Sequence, residues 1–111
     1  MRVYLVEQID PDHVKRVAKR CKDMGCESSL EDLFWLPLPK TLLTEEQLEH
    51  DAECGPHSLA LECGEDYLRL ELLVRGRGPI RCSCIAYCTP AQREHMVNYF
   101  DNLLKELDIP A

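Results

Sequence analysis

The groups in this sequence with the most chemistry to offer are its thiols and imidazoles. Ile80 to Cys88, reading IRCSCIAYC, carries three of the seven cysteines. A second stretch, HDAECGPHSLALEC from His50 to Cys63, adds two histidines and two more cysteines. Zinc binds thiolate sulfur and imidazole nitrogen, four to a tetrahedron. In the second stretch His50 and Cys54 are spaced i, i+4, which puts both on one face of a helix. Cys54 and His57 follow across a turn as C-x2-H, and Cys63 lies six residues on. His50, Cys54, His57 and Cys63 are therefore the candidate zinc ligands, two nitrogens and two sulfurs, although their spacing follows no standard finger pattern.

The first stretch reads as a strand. Side chains alternate along a strand, so Cys82, Cys84, Ala86 and Cys88 share a face opposite Ser83, Ile85 and Tyr87. At about 3.4 Å per residue, Cys82 and Cys88 lie roughly 20 Å apart. Sulfurs on one zinc lie within about 4 Å of each other. An intact strand thus keeps these thiols from sharing an ion. It also puts the Cys82 and Cys84 α-carbons near the upper end of the roughly 4.4–6.8 Å that a disulfide spans. The expectation is a small-residue face packed under a helix, with the thiols acting as buried hydrophobes. An odd number of cysteines cannot all pair internally, and a reducing compartment leaves them free.

Cys54-Gly55-Pro56-His57 resembles the Cys-Gly-Pro-x motif of thioredoxin-like redox proteins over these four residues. In that family the cysteine stands where a strand enters a helix N-terminus, which lowers its pKa. Here Cys54 falls at a helix C-terminus, where the dipole disfavours a thiolate. His57 replaces the second cysteine. Redox catalysis is not expected from this motif. Other catalytic constellations are thin. Glu62 and Glu71 read as solvated strand carboxylates, and His13 and His95 sit in the first turns of helices. Gly76 to Gly78 is too short a glycine run to cradle phosphate.

The elements that would position these residues are legible in the pattern. RVYLVEQI near the N-terminus reads as a strand in which Val3, Leu5 and Glu7 alternate with Tyr4, Val6 and Gln8, and apolar content on both faces suggests an inner strand. Asp10 as N-cap and Pro11 at the first position open a helix whose Val14, Val17, Ala18, Cys21 and Met24 form one stripe, closed by Gly25. Thr44 with Gln47, and Thr89 with Gln92, are capping boxes that start a short middle helix and a long C-terminal one. Gly55 ends the middle helix. Met96, Val97, Phe100, Leu103, Leu104 and Leu107 are the inner stripe of the long helix. SLALEC, YLRLELLVR and IRCSCIAYC read as a three-strand meander, with GRGP as the second turn. Leu68, Leu70, Leu72 and Val74 alternate cleanly with polar neighbours apart from Leu73. The predicted fold is α+β: a single domain with a mainly antiparallel sheet, its two main helices on one face, and a short middle helix.

Pro37 and Pro39 cannot donate to a ladder, so FWLPLP is expected at a sheet edge or in an extended, polyproline-like run. Phe34, Trp35, Leu36, Pro37 and Leu38 make the candidate partner-binding segment, with Trp35 as its anchor. The formal net charge is −7, and residues 26–66 carry one basic group against eleven acidic ones. Such a surface repels phosphate backbones and anionic lipid, so neither nucleic acid nor membrane is an expected partner. With an ordinary apolar share of 45%, no signal-like N-terminus and no run long enough to span a bilayer, a cytoplasmic protein is expected. Together these readings favour a non-catalytic binding protein without cofactor that meets a protein partner or a second copy of itself. The alternatives are zinc or thiol chemistry at His50, Cys54, His57 and Cys63, and a small-ligand pocket between the sheet and the long helix.

Overall fold

A computed structural model of the chain describes residues 1–77 and 82–110. Asp10 caps the first helix, its carboxylate accepting the Asp12 N–H at 2.9 Å. This helix, α1 (Pro11–Asp23), buries Val14, Val17 and Cys21. It ends where Gly25 takes a left-handed φ of 75°, a conformation that costs a residue without Cβ little. Both predicted capping boxes form. Thr44 opens α2 (Glu45–Cys54), and Thr89 opens α3 (Pro90–Glu106), which buries Met96, Phe100, Leu103 and Leu104.

Four strands make the main sheet: β1 (Val3–Val6), β2 (Leu33–Pro37), β3 (Ser58–Cys63) and β4 (Leu68–Glu71). Their order is β1-β4-β3-β2, antiparallel throughout. This is the expected α+β arrangement, except that the N-terminal strand, expected inside the sheet, lies at its edge. Alternation sends Leu61 and Leu70, paired in register, into the core with Phe34, Leu36, Leu59 and Leu68. Helices α1 and α3 cover that face. Arg20 and Glu106 form an ion pair at 3.0 Å between them. Tyr4 stands edge-on to Phe100, with ring centres 6.1 Å apart, and donates its hydroxyl to Asp101 at 2.7 Å.

The FWLPLP segment does run along the sheet edge, as β2. Its apolar side chains divide between two faces. Phe34, Leu36 and Leu38 are in the core, whereas Trp35 is half-buried on the other face and Pro37 is exposed. The partner-binding segment drawn from sequence is corrected here: strand alternation takes Phe34 and Leu36 inward, and Leu38 is buried too, so these three are not available to a partner.

The meander is shorter in its last strand than expected. YLRLELLVR keeps Leu68, Leu70, Leu72 and Val74 buried on one side, and beyond β4 Arg75 still exchanges both backbone hydrogen bonds with Ser58 of β3, each at 2.9 Å. Leu73–Val74 (β5) also pairs with Ala86–Tyr87 (β6), Leu73 opposite Tyr87 and Val74 opposite Ala86. Among the described residues, the expected third strand is those two residues. Arg2 lies over the Tyr87 ring at 4.4 Å. Gly78 to Arg81, which include part of the predicted GRGP turn and the start of the predicted strand, fall outside the described residues. From Cys82 to Ile85 the chain turns, with the Ile85 N–H donated to the Cys82 carbonyl at 3.1 Å. The strand that would have held Cys82, Cys84 and Cys88 in one straight row is therefore not formed.

Candidate metal centre

The turn at Cys82–Ile85 and the C-terminal end of α2 meet. His50, Cys54, Cys82 and Cys84 each offer one ligand atom, and all four atoms lie within 4.8 Å of one another. His50 and Cys54 are one helical turn apart on α2, the placement expected from their spacing. The Cys54 and Cys82 sulfurs are 3.4 Å apart, and His50 Nδ1 is 3.0 Å from the Cys82 sulfur. Ligands on one tetrahedral zinc stand roughly 3.5–4 Å apart, given bonds near 2.0–2.3 Å. Shifts of well under a residue's length bring the four into that geometry. Cys54 and Cys84 are buried, while His50 and Cys82 are half-buried. The centre is walled on its inner side and open to solvent on the other.

The surroundings hold both segments in place. Gly76 passes so close to the end of α2 that a Cβ there would collide with the Cys54 carbonyl. That same carbonyl accepts the Arg77 N–H at 2.6 Å. Beneath the turn lies a buried pair of amides. Gln47 and Gln92 are the glutamines of the two capping boxes, and both are almost wholly enclosed. Gln47 donates to the Cys84 carbonyl at 3.2 Å. Gln92 donates to the Gln47 side-chain oxygen at 3.0 Å and to the Leu42 carbonyl at 2.8 Å. Each amide oxygen also caps its own helix. The starts of α2 and α3 and the cysteine turn are thus tied by one satisfied network, the condition under which a buried polar group rigidifies a fold.

The three thiols of the cluster do not share one protonation tendency. The Cys84 N–H, 3.5 Å from the Cys82 sulfur, favours a thiolate there and pulls that pKa down to about 7, with help from the Cys84 and Cys54 thiols and from His50. Cys84 is pushed up to about 12, chiefly by burial. Cys54 is also raised, first because its thiol donates to Cys82. Without an ion, one anion is held by two protonated neighbours. A divalent cation would replace those protons, and the C-terminal end of α2 adds a partial negative charge that favours it.

Two of the sequence-derived ligands lie elsewhere. The His57 side chain is fully enclosed, with Nδ1 3.3 Å from an Asp51 oxygen. Asp51 in turn meets Lys40 at 3.2 Å. His57 Nε2 has no partner among the described residues. This imidazole packs beneath the end of α2 and does not join the cluster. Cys63 is carried away by β3, which runs extended from Ser58, about 17 Å for five steps. It ends in the core near Cys21, its thiol pushed up to about 12 by burial. The candidate ligands that sequence reasoning missed are Cys82 and Cys84. Their C-x-C spacing was visible, but a strand reading kept them apart.

No family model, curated protein or solved structure matches this chain.

Proposed function

We propose that this chain is a zinc-binding protein in which one ion, held by His50, Cys54, Cys82 and Cys84, fastens the cysteine turn to the end of α2. The observation that carries this reading is the convergence of one imidazole and three sulfurs, from two distant segments, within 4.8 Å. A nitrogen and three sulfurs suit zinc, which is borderline-soft and has no geometric preference of its own. Four protein ligands complete a tetrahedron and leave no open position for a substrate, so the role is structural. The amide network behind Cys84 supplies the outer support that such sites need.

The test is elemental analysis of protein purified under reducing conditions with zinc supplied. One zinc per chain is expected. Cys82→Ser and Cys84→Ser should each lose most of it, whereas Cys63→Ser and His57→Gln should keep it. A wild-type chain that takes up no zinc, or zinc lost equally from all four variants, would overturn the reading.

A second reading rests on a different observation and is compatible with the first. Among the described residues, the sheet face opposite α1 and α3 carries no helix. Trp35 and Leu33 share a groove there with Arg69, Glu71 and Arg75, and Leu5 and Leu30 are well exposed. Apolar side chains rimmed by Arg69 and by the Arg75–Glu71 ion pair, 2.8 Å within the chain, suit a second copy of the chain. Light scattering at micromolar concentration should then give a dimer that Trp35→Ala breaks. A strict monomer removes this reading and leaves the zinc centre untouched.

A further inference from the structure

Resting on the zinc reading, we infer that the same centre is a zinc-release switch worked by hydroperoxide, in which Cys54 and Cys82 become a disulfide and the ion leaves. The geometry selects this pair. The Cys54 and Cys82 sulfurs are already 3.4 Å apart, and a disulfide bond is about 2.05 Å, so closure asks for little more than 1 Å of movement. Cys82 is the half-exposed thiol of the three, whereas Cys54 and Cys84 are 3% and 1% exposed. An oxidant arriving from solvent therefore meets Cys82 first. Cys84 is a poor partner for it. The two are separated by one residue within a turn, and Cys84 is held from behind by Gln47. Cys54 comes from a different element and faces Cys82 directly.

The chemistry balances with a hydroperoxide as the oxidant. The Cys82 thiolate sulfur attacks one oxygen of hydrogen peroxide and the O–O bond breaks; the transferred OH makes Cys82 a sulfenic acid, and the other leaves as hydroxide, neutralised by the buffered solvent. The Cys54 sulfur then attacks the Cys82 sulfur. The S–S bond forms, the S–O bond breaks, and the departing hydroxide is protonated. Two electrons have passed from two thiolates to one peroxide. Disulfide sulfurs are poor metal ligands, because the metal takes thiolate. Only His50 and Cys84 remain, too few to hold zinc. The new bond joins the same two segments that the ion joined, so the fold exchanges one fastener for another while the metal is set free. Dithiothreitol reverses the exchange.

The experiment starts from wild-type protein whose zinc content has been counted by elemental analysis. One equivalent of hydrogen peroxide is added in the presence of a chromogenic zinc chelator. The expected result is release of the bound zinc together with a Cys54–Cys82 linkage found by peptide mapping, both reversed by dithiothreitol and fresh zinc. Cys84→Ser keeps the reacting pair, and peroxide should give it the same linkage. Zinc that stays bound through the peroxide treatment overturns the switch and leaves the zinc centre standing. So does zinc lost with Cys82 joined to Cys84 or oxidised to sulfinic acid. A chain that holds no zinc before the oxidant is added overturns the reading on which the switch rests.

Discussion

Two groups of thiols in this chain, buried alike except for half-exposed Cys82, differ in what surrounds them. Cys21, Cys26 and Cys63 lie in the main core between α1 and the sheet. Burial pushes Cys21 and Cys63 up to about 12, and no nearby group compensates a charge enough to reverse it. Cys54, Cys82 and Cys84 lie at the other end of the fold, with a backbone N–H and an imidazole directed at the Cys82 sulfur. The core thiols behave as small hydrophobes. The cluster thiols are arranged around a point that a cation can occupy. Burial therefore does not tell a packing cysteine from a ligand. What tells them apart is whether polar groups converge on the sulfur.

The largest effect that could break this contrast is on stability. An ion that binds the folded chain and not the unfolded one adds about 2.7 kcal/mol at a free concentration a hundredfold above its dissociation constant. For a domain of this size that is about 10 °C in melting temperature. Chelating the zinc should lower the melting temperature by about that much in the wild type and hardly at all in Cys82→Ser. Cys21→Ser should lose about 1–3 kcal/mol by burying a hydroxyl without a partner, while its response to the chelator stays that of the wild type. Thermal melts with and without chelator decide the matter. If the Cys21 variant loses the zinc response, the two regions are not independent.

Much of the fold was legible because local signals agreed with the tertiary result. Asp10, Thr44 and Thr89 cap the helices assigned to them, and the Leu68, Leu70, Leu72, Val74 alternation is buried as read. Half of the metal group was legible too, since helical geometry alone unites His50 and Cys54. The rest failed where local pattern and tertiary structure part. Alternation in IRCSCIAYC is a strand signal, but among its described residues only Ala86 and Tyr87 pair with β5. Cys82 to Ile85 turn instead, and a turn folds back sulfurs that a strand would spread. His57 is close to Cys54 in sequence but not joined to it in the fold. Asp51, one helical turn before Gly55, claims it. The capping pattern places Gln47 and Gln92, but nothing local says that the Gln92 amide would donate to the Gln47 oxygen and the Gln47 amide to the Cys84 carbonyl. That contact joins residues far apart in the chain and exists only once the helices have docked.

A smaller effect sharpens the boundary between the centre and its support. Gln47 touches no proposed ligand side chain, yet it holds the Cys84 carbonyl and the Gln92 amide. Outer partners of metal ligands are worth roughly 10–100-fold in affinity. Gln47→Ala should weaken zinc binding within that range while keeping one zinc per chain at saturation, and metal-competition titration measures it. An unchanged affinity would make the amide network a matter of helix docking alone.

The smallest effect is one of selectivity among thiols in the metal-free protein. A thiol with its pKa at about 7 is half ionised at neutral pH, and only the thiolate attacks an alkylating reagent. Cys82 should therefore react with iodoacetamide first, its rate rising through about pH 7. Cys21 and Cys63, pushed to about 12, should stay unmodified until the chain unfolds. The same shifts carry opposite signs for stability. The depressed Cys82 pKa stabilises the metal-free fold in full above about pH 9 and loses its contribution as pH falls through 7. The raised core thiols keep protons that the unfolded chain gives up, so their contribution is present below about pH 9 and declines above it. Mass mapping of the alkylated protein across pH 6–9 checks the order. If Cys82 labels no faster than Cys21 at neutral pH, the convergence of polar groups on its sulfur has no chemical consequence, and the distinction between the two thiol regions is lost.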